Sequence, residues 1–478
     1  MRKRAFRGGL LEYSSQRSEG QIVRQAAASA APDSESVGRL ALRGTLFESA
    51  AFGSAQLLRL ASNLVLSRLL FPEAFGLTAL VSIFLIGLEL LSDVGLEPAV
   101  VQSPRGDERR FLNTVWTMKI VRGAGLSLMA VALAWPAAAL YQEPMLLWLL
   151  PVSGLASLLH GVGSTSVFSL RRQLRLGPLA ALEILAKSLG VAVMIGWAWI
   201  SPSVWALVAG GLVEAAVSAI GSHLLPVGYR NRIEWDPEAS RAVVHFGKWI
   251  FGSSAVFFFG RQGDRLLLGK FLGMSALGIY SIAVMLSEAV GTFVNRITHG
   301  VLYPIFSRAA REGQDPLREV YYAARLRMDL LAIPVAGGLA ALGQPLVELL
   351  YDERYAAAGW MLEILAVRVA MECALAPCET CLFALGQTRW SFLRNVARTL
   401  WIWCGIPIGY AWGGVEGLVW ATALSEIPVL LVLWPAFRAA GMFRPMRELV
   451  PPVAFLLGFA LGKALEPFAP ALQAWLDV

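Results

Sequence analysis

Leu57–Thr78 reads LLRLASNLVLSRLLFPEAFGLT, and Phe259–Tyr280 reads FGRQGDRLLLGKFLGMSALGIY. At a constant offset of 202 residues, Arg59 aligns with Arg261, Leu64 with Leu266, Leu66 with Leu268 and Arg68 with Lys270. Leu70 then meets Leu272, Ala74 meets Ala276 and Gly76 meets Gly278. Each copy is an apolar helix with an arginine deep inside it, then a short turn, then a second apolar run. A parallel internal repeat in a membrane chain points to two lobes with a site between them. An arginine inside a membrane span marks a functional site by default, because burying its charge in lipid is costly.

The rest of the chain supports the membrane reading. Of 478 residues, 56% are hydrophobic and 16% charged, with a mean hydropathy of +0.58. A soluble protein carries about 25% charge. Four cysteines, at 373, 378, 381 and 404, lie within apolar runs and read as small apolar filler. The four histidines form no metal-ligand spacing.

A span needs about 20 apolar residues. Thirteen candidates lie near 45–67, 75–100, 112–139, 145–168, 177–199, 203–224, 246–269, 276–303, 324–343, 357–384, 391–411, 414–436 and 449–466. The expected fold is therefore an all-α polytopic membrane protein of about 13 helices, in two pseudo-symmetric six-helix lobes around a central cavity. Residues 1–42 read as a disordered basic tail, because no apolar core for a signal peptide precedes Leu46. Residues 43–224 form the first lobe, 225–244 the loop joining the lobes, and 245–437 the second lobe. Residues 438–478 add one further span and a tail, in which Pro467–Val478 is too short to span as an ordinary helix.

Alternate loops hold most of the 41 Lys and Arg residues, and the opposite side holds four: Arg68, Lys270, Arg354 and Lys463. The positive-inside rule then places the N-terminus in the cytoplasm. It also accounts for the net charge of +7 without nucleic acid.

Leu66–Gln102 contains RLLFPEAFG and then SDVGLEPAVVQ. Arg261-Gln-Gly-Asp264 continues through Lys270, Gly273 and Gly278 to Tyr280, and Pro304-Ile-Phe-Ser-Arg308 follows the eighth span. Over roughly residues 45–440 the chain resembles the Wzx-like polysaccharide flippases of the multidrug/oligosaccharidyl-lipid/polysaccharide exporter superfamily. The resemblance implies a bacterial inner-membrane transporter that carries an undecaprenyl-pyrophosphate-linked oligosaccharide outward. It also leaves open a polysaccharide polymerase or export complex as partner. Relatives in that branch often have fourteen spans, one more than is found here.

On that reading Arg59 and Arg261 face each other and hold the pyrophosphate, since guanidinium offers a rigid fork of donors. Asp264 completes the set, either beside the ligand or as the i+3 partner that neutralises Arg261. Glu89, Asp93 and Glu97 share one face of span two. With Lys119 and Arg122 of span three they form either a packing cluster or an inner gate. Among the carboxylates within spans, Glu288 is the candidate for ion coupling, with H+ or Na+ as the ion. Arg368 is expected to pair with Glu372.

No cofactor is expected. No phosphate-binding loop of an ATP motor is present, and the longest outer loop, about 343–357, is too short for a membrane enzyme's site. A drug exporter of the same superfamily and a non-transporting scaffold remain as alternatives.

Overall fold

The computed structural model describes residues 34–468, apart from 94, 228, 239 and 241–249. The described residues contain no strand. The first lobe comprises α1 (Ser34–Leu69), α2 (Pro72–Leu91), α3 (Leu96–Gln102), α4 (Arg109–Tyr141), α5 (Leu146–Val162), α6 (Ser166–Arg172), α7 (Gly177–Ile200) and α8 (Val204–His223). The second comprises α9 (Ile250–Ile297), α10 (Tyr303–Glu312), α11 (Gln314–Leu350), α12 (Ala357–Ala384), α13 (Thr388–Ala423) and α14 (Glu426–Ala439). A last helix, α15 (Val450–Leu465), packs on α11.

The thirteen crossings follow. Eight segments are long and apolar enough to cross a membrane, and two of these, 254–312 and 388–439, have 59 and 52 residues. At 1.5 Å per residue each is long enough for two passes. Their turns fall at Gly273 (φ 81°) and Gly414 (φ 57°), where only glycine reverses the backbone without strain. α1, α12 and the bent pair α5 and α6 complete the thirteen and are not among the eight. α1 carries Arg59 and a run of polar residues, and α12 carries Glu363, Arg368, Glu372 and Glu379. Both helices contribute charged side chains to the site, together with α9, α13 and α14.

The repeat survives as structure. In the first copy the chain leaves α1 at Leu69 and re-enters helix at Pro72, with Phe71 extended. In the second, the break falls on Gly273, the residue 202 positions after Phe71.

Three expected boundaries change. Of the tail 1–42, residues 1–33 lie outside the described residues, and 34–42 are already helix. Pro32 and Asp33 precede that start, and such residues favour a helix beginning. Span two, expected as one helix over 75–100, is broken at Gly95 (φ 68°) into α2 and α3. Span four is likewise bent by 58° between α5 and α6. Residues 469–478 of the C-terminal segment lie outside the described residues.

The loop joining the lobes is fastened to the first lobe as far as it is described. Alternate backbone amides of Arg232, Glu234 and Asp236 donate to Asn113 Oδ1, Thr117 Oγ1 and Thr114 Oγ1 of α4. Asn231 bridges to Ser164 and Thr165. Residues 241–244 of the expected hinge lie outside the described residues.

Candidate functional site

The lobes meet along α2 and α9. Gly76 of α2 lies against Met274 and Gly278 of α9 so closely that a Cβ on Gly76 would stand 1.8 Å from the Met274 carbonyl oxygen. A Cβ on Gly278 would stand 1.9 Å from the Pro72 carbonyl oxygen. Around this contact the corner after each lobe's third span reaches onto the other lobe. Tyr141 donates to the Leu266 carbonyl at 3.2 Å, and Lys270 to the Leu140 carbonyl at 2.5 Å. Tyr351 donates to Asn63 Oδ1 at 3.0 Å, Tyr355 to the Leu70 carbonyl at 3.0 Å, and Arg354 to the carbonyls of Ser67 and Arg68.

Among the described residues, every hydrogen bond that crosses between the lobes belongs to this clasp at the arginine-poor end. Two of the cations that depart from the charge asymmetry, Lys270 and Arg354, are its donors. Arg354 is itself oriented by Asp352, whose Oδ1 accepts from its Nε at 3.0 Å. That bond holds the Asp352 carboxyl below its usual range, and burial raises the Tyr355 hydroxyl.

Deeper, the second lobe holds a chain of arginines and carboxylates from four helices. Arg261 Nη1 reaches Glu372 Oε1 of α12 at 3.2 Å, and Asn295 Nδ2 donates to the same oxygen at 3.4 Å. Glu288 accepts from Arg265 at 3.4 Å and from Arg368 at 3.4 Å, one on each oxygen. Arg398 of α13 pairs with Glu426 of α14, and Arg394 with Glu379 of α12.

Asp264 does not neutralise Arg261. It is buried and accepts instead from the Tyr280 hydroxyl at 2.7 Å. Arg368 takes Glu288 rather than Glu372, because a partner across the bundle lies closer than the one on its own helix. Arg394 and Arg398 are half-buried and buried in α13. Arg265 was not singled out in the sequence. Its spacing of four from Arg261 is the signal that places both on one helix face.

Arg59 is different. Its side chain is exposed although it lies ten residues before the end of α1, about 15 Å along the helix. Among the described residues it makes no hydrogen bond or ion pair through its guanidinium. The charges that act on it are those of Glu288 and Arg265 across the gap between lobes. The expected face-to-face arrangement of Arg59 and Arg261 is thus replaced: Arg261 turns to Glu372, while Arg265 and Glu288 lie towards Arg59. Asn63 stands where Arg265 stands in the second copy, and Ser62 where Asp264 stands, donating to the Arg59 carbonyl at 3.0 Å.

The Glu89–Arg122 group lines a cavity of about 710 Å³ in the first lobe, with Asp93, Lys119 and Phe168. It contains no acid–base pair between spans two and three. Arg122 donates to the Glu89 and Ser92 carbonyls at the end of α2, at 2.7 and 3.0 Å. Lys119 donates to the Gly163 carbonyl at the end of α5, at 2.8 Å. One turn apart on α4, the two cations each cap a broken helix, where orphan carbonyls and the helix dipole favour positive charge. Glu97 pairs outside the group, with Arg171 at 2.5 Å.

Residues 65–359 match the family model described as "Polysaccharide biosynthesis protein". The chain is 25% identical over 417 residues to the succinoglycan biosynthesis transport protein ExoT of Rhizobium meliloti, covering 84% of this chain and 82% of that protein. Among solved structures, its fold resembles the lipid II flippase MurJ in an inward closed conformation. There the TM-score is 0.67 at 13% identity, over 90% of this chain and 98% of the other. It also resembles an inward-facing multidrug transporter of the MATE family, with a TM-score of 0.63 at 14% identity, over 81% and 95% of the two chains.

Proposed function

Because the chain belongs to the polysaccharide biosynthesis protein family, we propose that it is a flippase for an undecaprenyl-pyrophosphate-linked oligosaccharide destined for cell-surface polysaccharide. The observation that carries this reading is Arg59: an exposed guanidinium without a partner, deep in a span, at the gap between two lobes clasped at one end. Such a cation in a membrane calls for an anion. A pyrophosphate offers several oxygens to its fork of donors.

The positive-inside rule assigns the clasped end to the periplasm and the N-terminus to the cytoplasm. The headgroup then enters between the lobes from the cytoplasm, with the lipid tail left in the bilayer. Phosphate oxygens at Arg59 compete with Glu288 for Arg265. Drawing Arg265 away leaves Glu288 to Arg368 alone, and the clasp parts as the lobes rock to release the headgroup outward. Glu288 is held by two arginines in this state, so its part in ion coupling begins when ligand takes one of them.

A cationic drug would meet Arg59 as a repulsive charge, which argues against a drug exporter although the fold serves both classes. The test replaces Arg59 with Ala and with Lys. It measures surface polymer in cells and flipping in proteoliposomes, at matched membrane abundance. Ala is expected to abolish both and Lys to restore them partly. Normal flipping by a well-inserted Arg59→Ala protein would overturn the proposal.

A further inference from the structure

A cavity of about 750 Å³ lies away from the gap between lobes, enclosed by α11, α12, α14, α15 and the linker 440–449. Its walls are apolar: Ala370, Ala374, Leu430, Phe437, Phe455 and Leu456 among them. Trp434, Leu449 and Leu456 are exposed and flank it on the side away from the bundle. Its charged lining is already matched, since Arg325 makes two bonds of 2.7 Å to Glu448 and also reaches Asp329 at 3.4 Å.

The last turn of α14 and the linker that follows it are strongly basic. Arg438, Arg444 and Arg447 are exposed. Arg444 lies 5.3 Å from the Tyr322 ring, and Arg438 lies 5.8 Å from the Phe443 ring, contacts that position guanidiniums without cancelling their charge. The nearby acid Asp315 is matched by Arg318 at 3.6 Å.

We propose that this cavity holds one acyl chain of an anionic phospholipid from the surrounding bilayer, with its phosphate among Arg438, Arg444 and Arg447. An apolar slot of this size suits a single lipid-sized ligand. A basic mouth between membrane helices selects an anionic headgroup over a zwitterionic one. The bound lipid mortars α15, which lies outside the repeat, to the second lobe, and it leaves the interlobe site free.

Detergent-solubilised protein is examined by native mass spectrometry and by melting with phosphatidylglycerol or phosphatidylcholine of identical chains. Phosphatidylglycerol is expected to co-purify and to raise Tm by about 2–4 °C more than phosphatidylcholine. The double variant Arg444→Ala/Arg447→Ala, which alters only exposed side chains, loses that difference. Ala374→Trp fills the slot and loses both retention and shift. Equal shifts with the two lipids, a preference that survives in the arginine variant, or a wild-type protein that neither lipid stabilises would each overturn the proposal. Should Ala374→Trp fail to fold, the arginine variant decides.

Discussion

Gly76 and Gly278, the same position in the two copies of the repeat, are packed backbone to backbone where the lobes meet. The molecule's internal symmetry is thus brought to a point of contact, and the absence of two β-carbons makes that contact possible.

Gly76→Ala and Gly278→Ala should each push the lobes apart at the clasped end, since the added carbon would stand 1.8 or 1.9 Å from a carbonyl oxygen of the other lobe. Overpacking of this kind costs about 1–3 kcal/mol. Spin labels on α2 and on the second half of α9 should report a longer separation in both variants, with reduced flipping. An unchanged distance would show that the contact does not govern the closed state.

Arg398→Ala and Arg59→Ala should separate stability from function. Arg398 and Glu426 are both buried, so removing one leaves an uncompensated charge at a cost of about 3–5 kcal/mol. The melting temperature of Arg398→Ala should fall sharply, and Arg398→Met with Glu426→Gln should recover much of the loss. Arg59→Ala should melt like the wild type while losing transport. If both single variants melt alike, the distinction between paired and unpaired arginines is wrong.

Glu288→Gln removes the charge that Arg265 and Arg368 share. If Glu288 carries the coupling proton, flipping by the variant should lose its dependence on a pH gradient. A wild-type response to the gradient in Glu288→Gln excludes that role.

The clasp should resist mild acid. The Asp352 carboxyl is held below its usual range by Arg354, so the stabilisation is present above the ordinary carboxylate pKa of about 3.9 and is lost only as pH falls through the lower folded value. Labelling of Ser67→Cys by a bulky maleimide should therefore stay slow at each pH tested between about 5 and 8, relative to a free-thiol standard. Arg354→Ala should speed it at every one of those values. A labelling rate that climbs steeply towards pH 5 in otherwise native protein contradicts the assignment.

Spans, repeat and the turn after each lobe's first helix were legible because hydropathy and a fixed offset are properties of the chain alone. The partners of the arginines were not. Arg261 reaches Glu372 and Arg368 reaches Glu288 because helices are rotated and stacked in a particular way, and sequence distance carries no record of that rotation. Lys119 and Arg122 were recognised as a charged group with Glu89 and Asp93. Their carbonyl acceptors became visible only once Gly95 and the bend after α5 had broken two helices that hydropathy reads as continuous.

Five of the six hydrogen bonds that cross the clasp end on main-chain carbonyls, those of Ser67, Arg68, Leu70, Leu140 and Leu266, and one ends on the Asn63 side chain. A carbonyl is supplied by whichever residue occupies the position. Asn63 apart, the accepting half of the seal therefore asks for no particular side chain, and the chemical requirement falls on the donors Tyr141, Lys270, Tyr351, Arg354 and Tyr355.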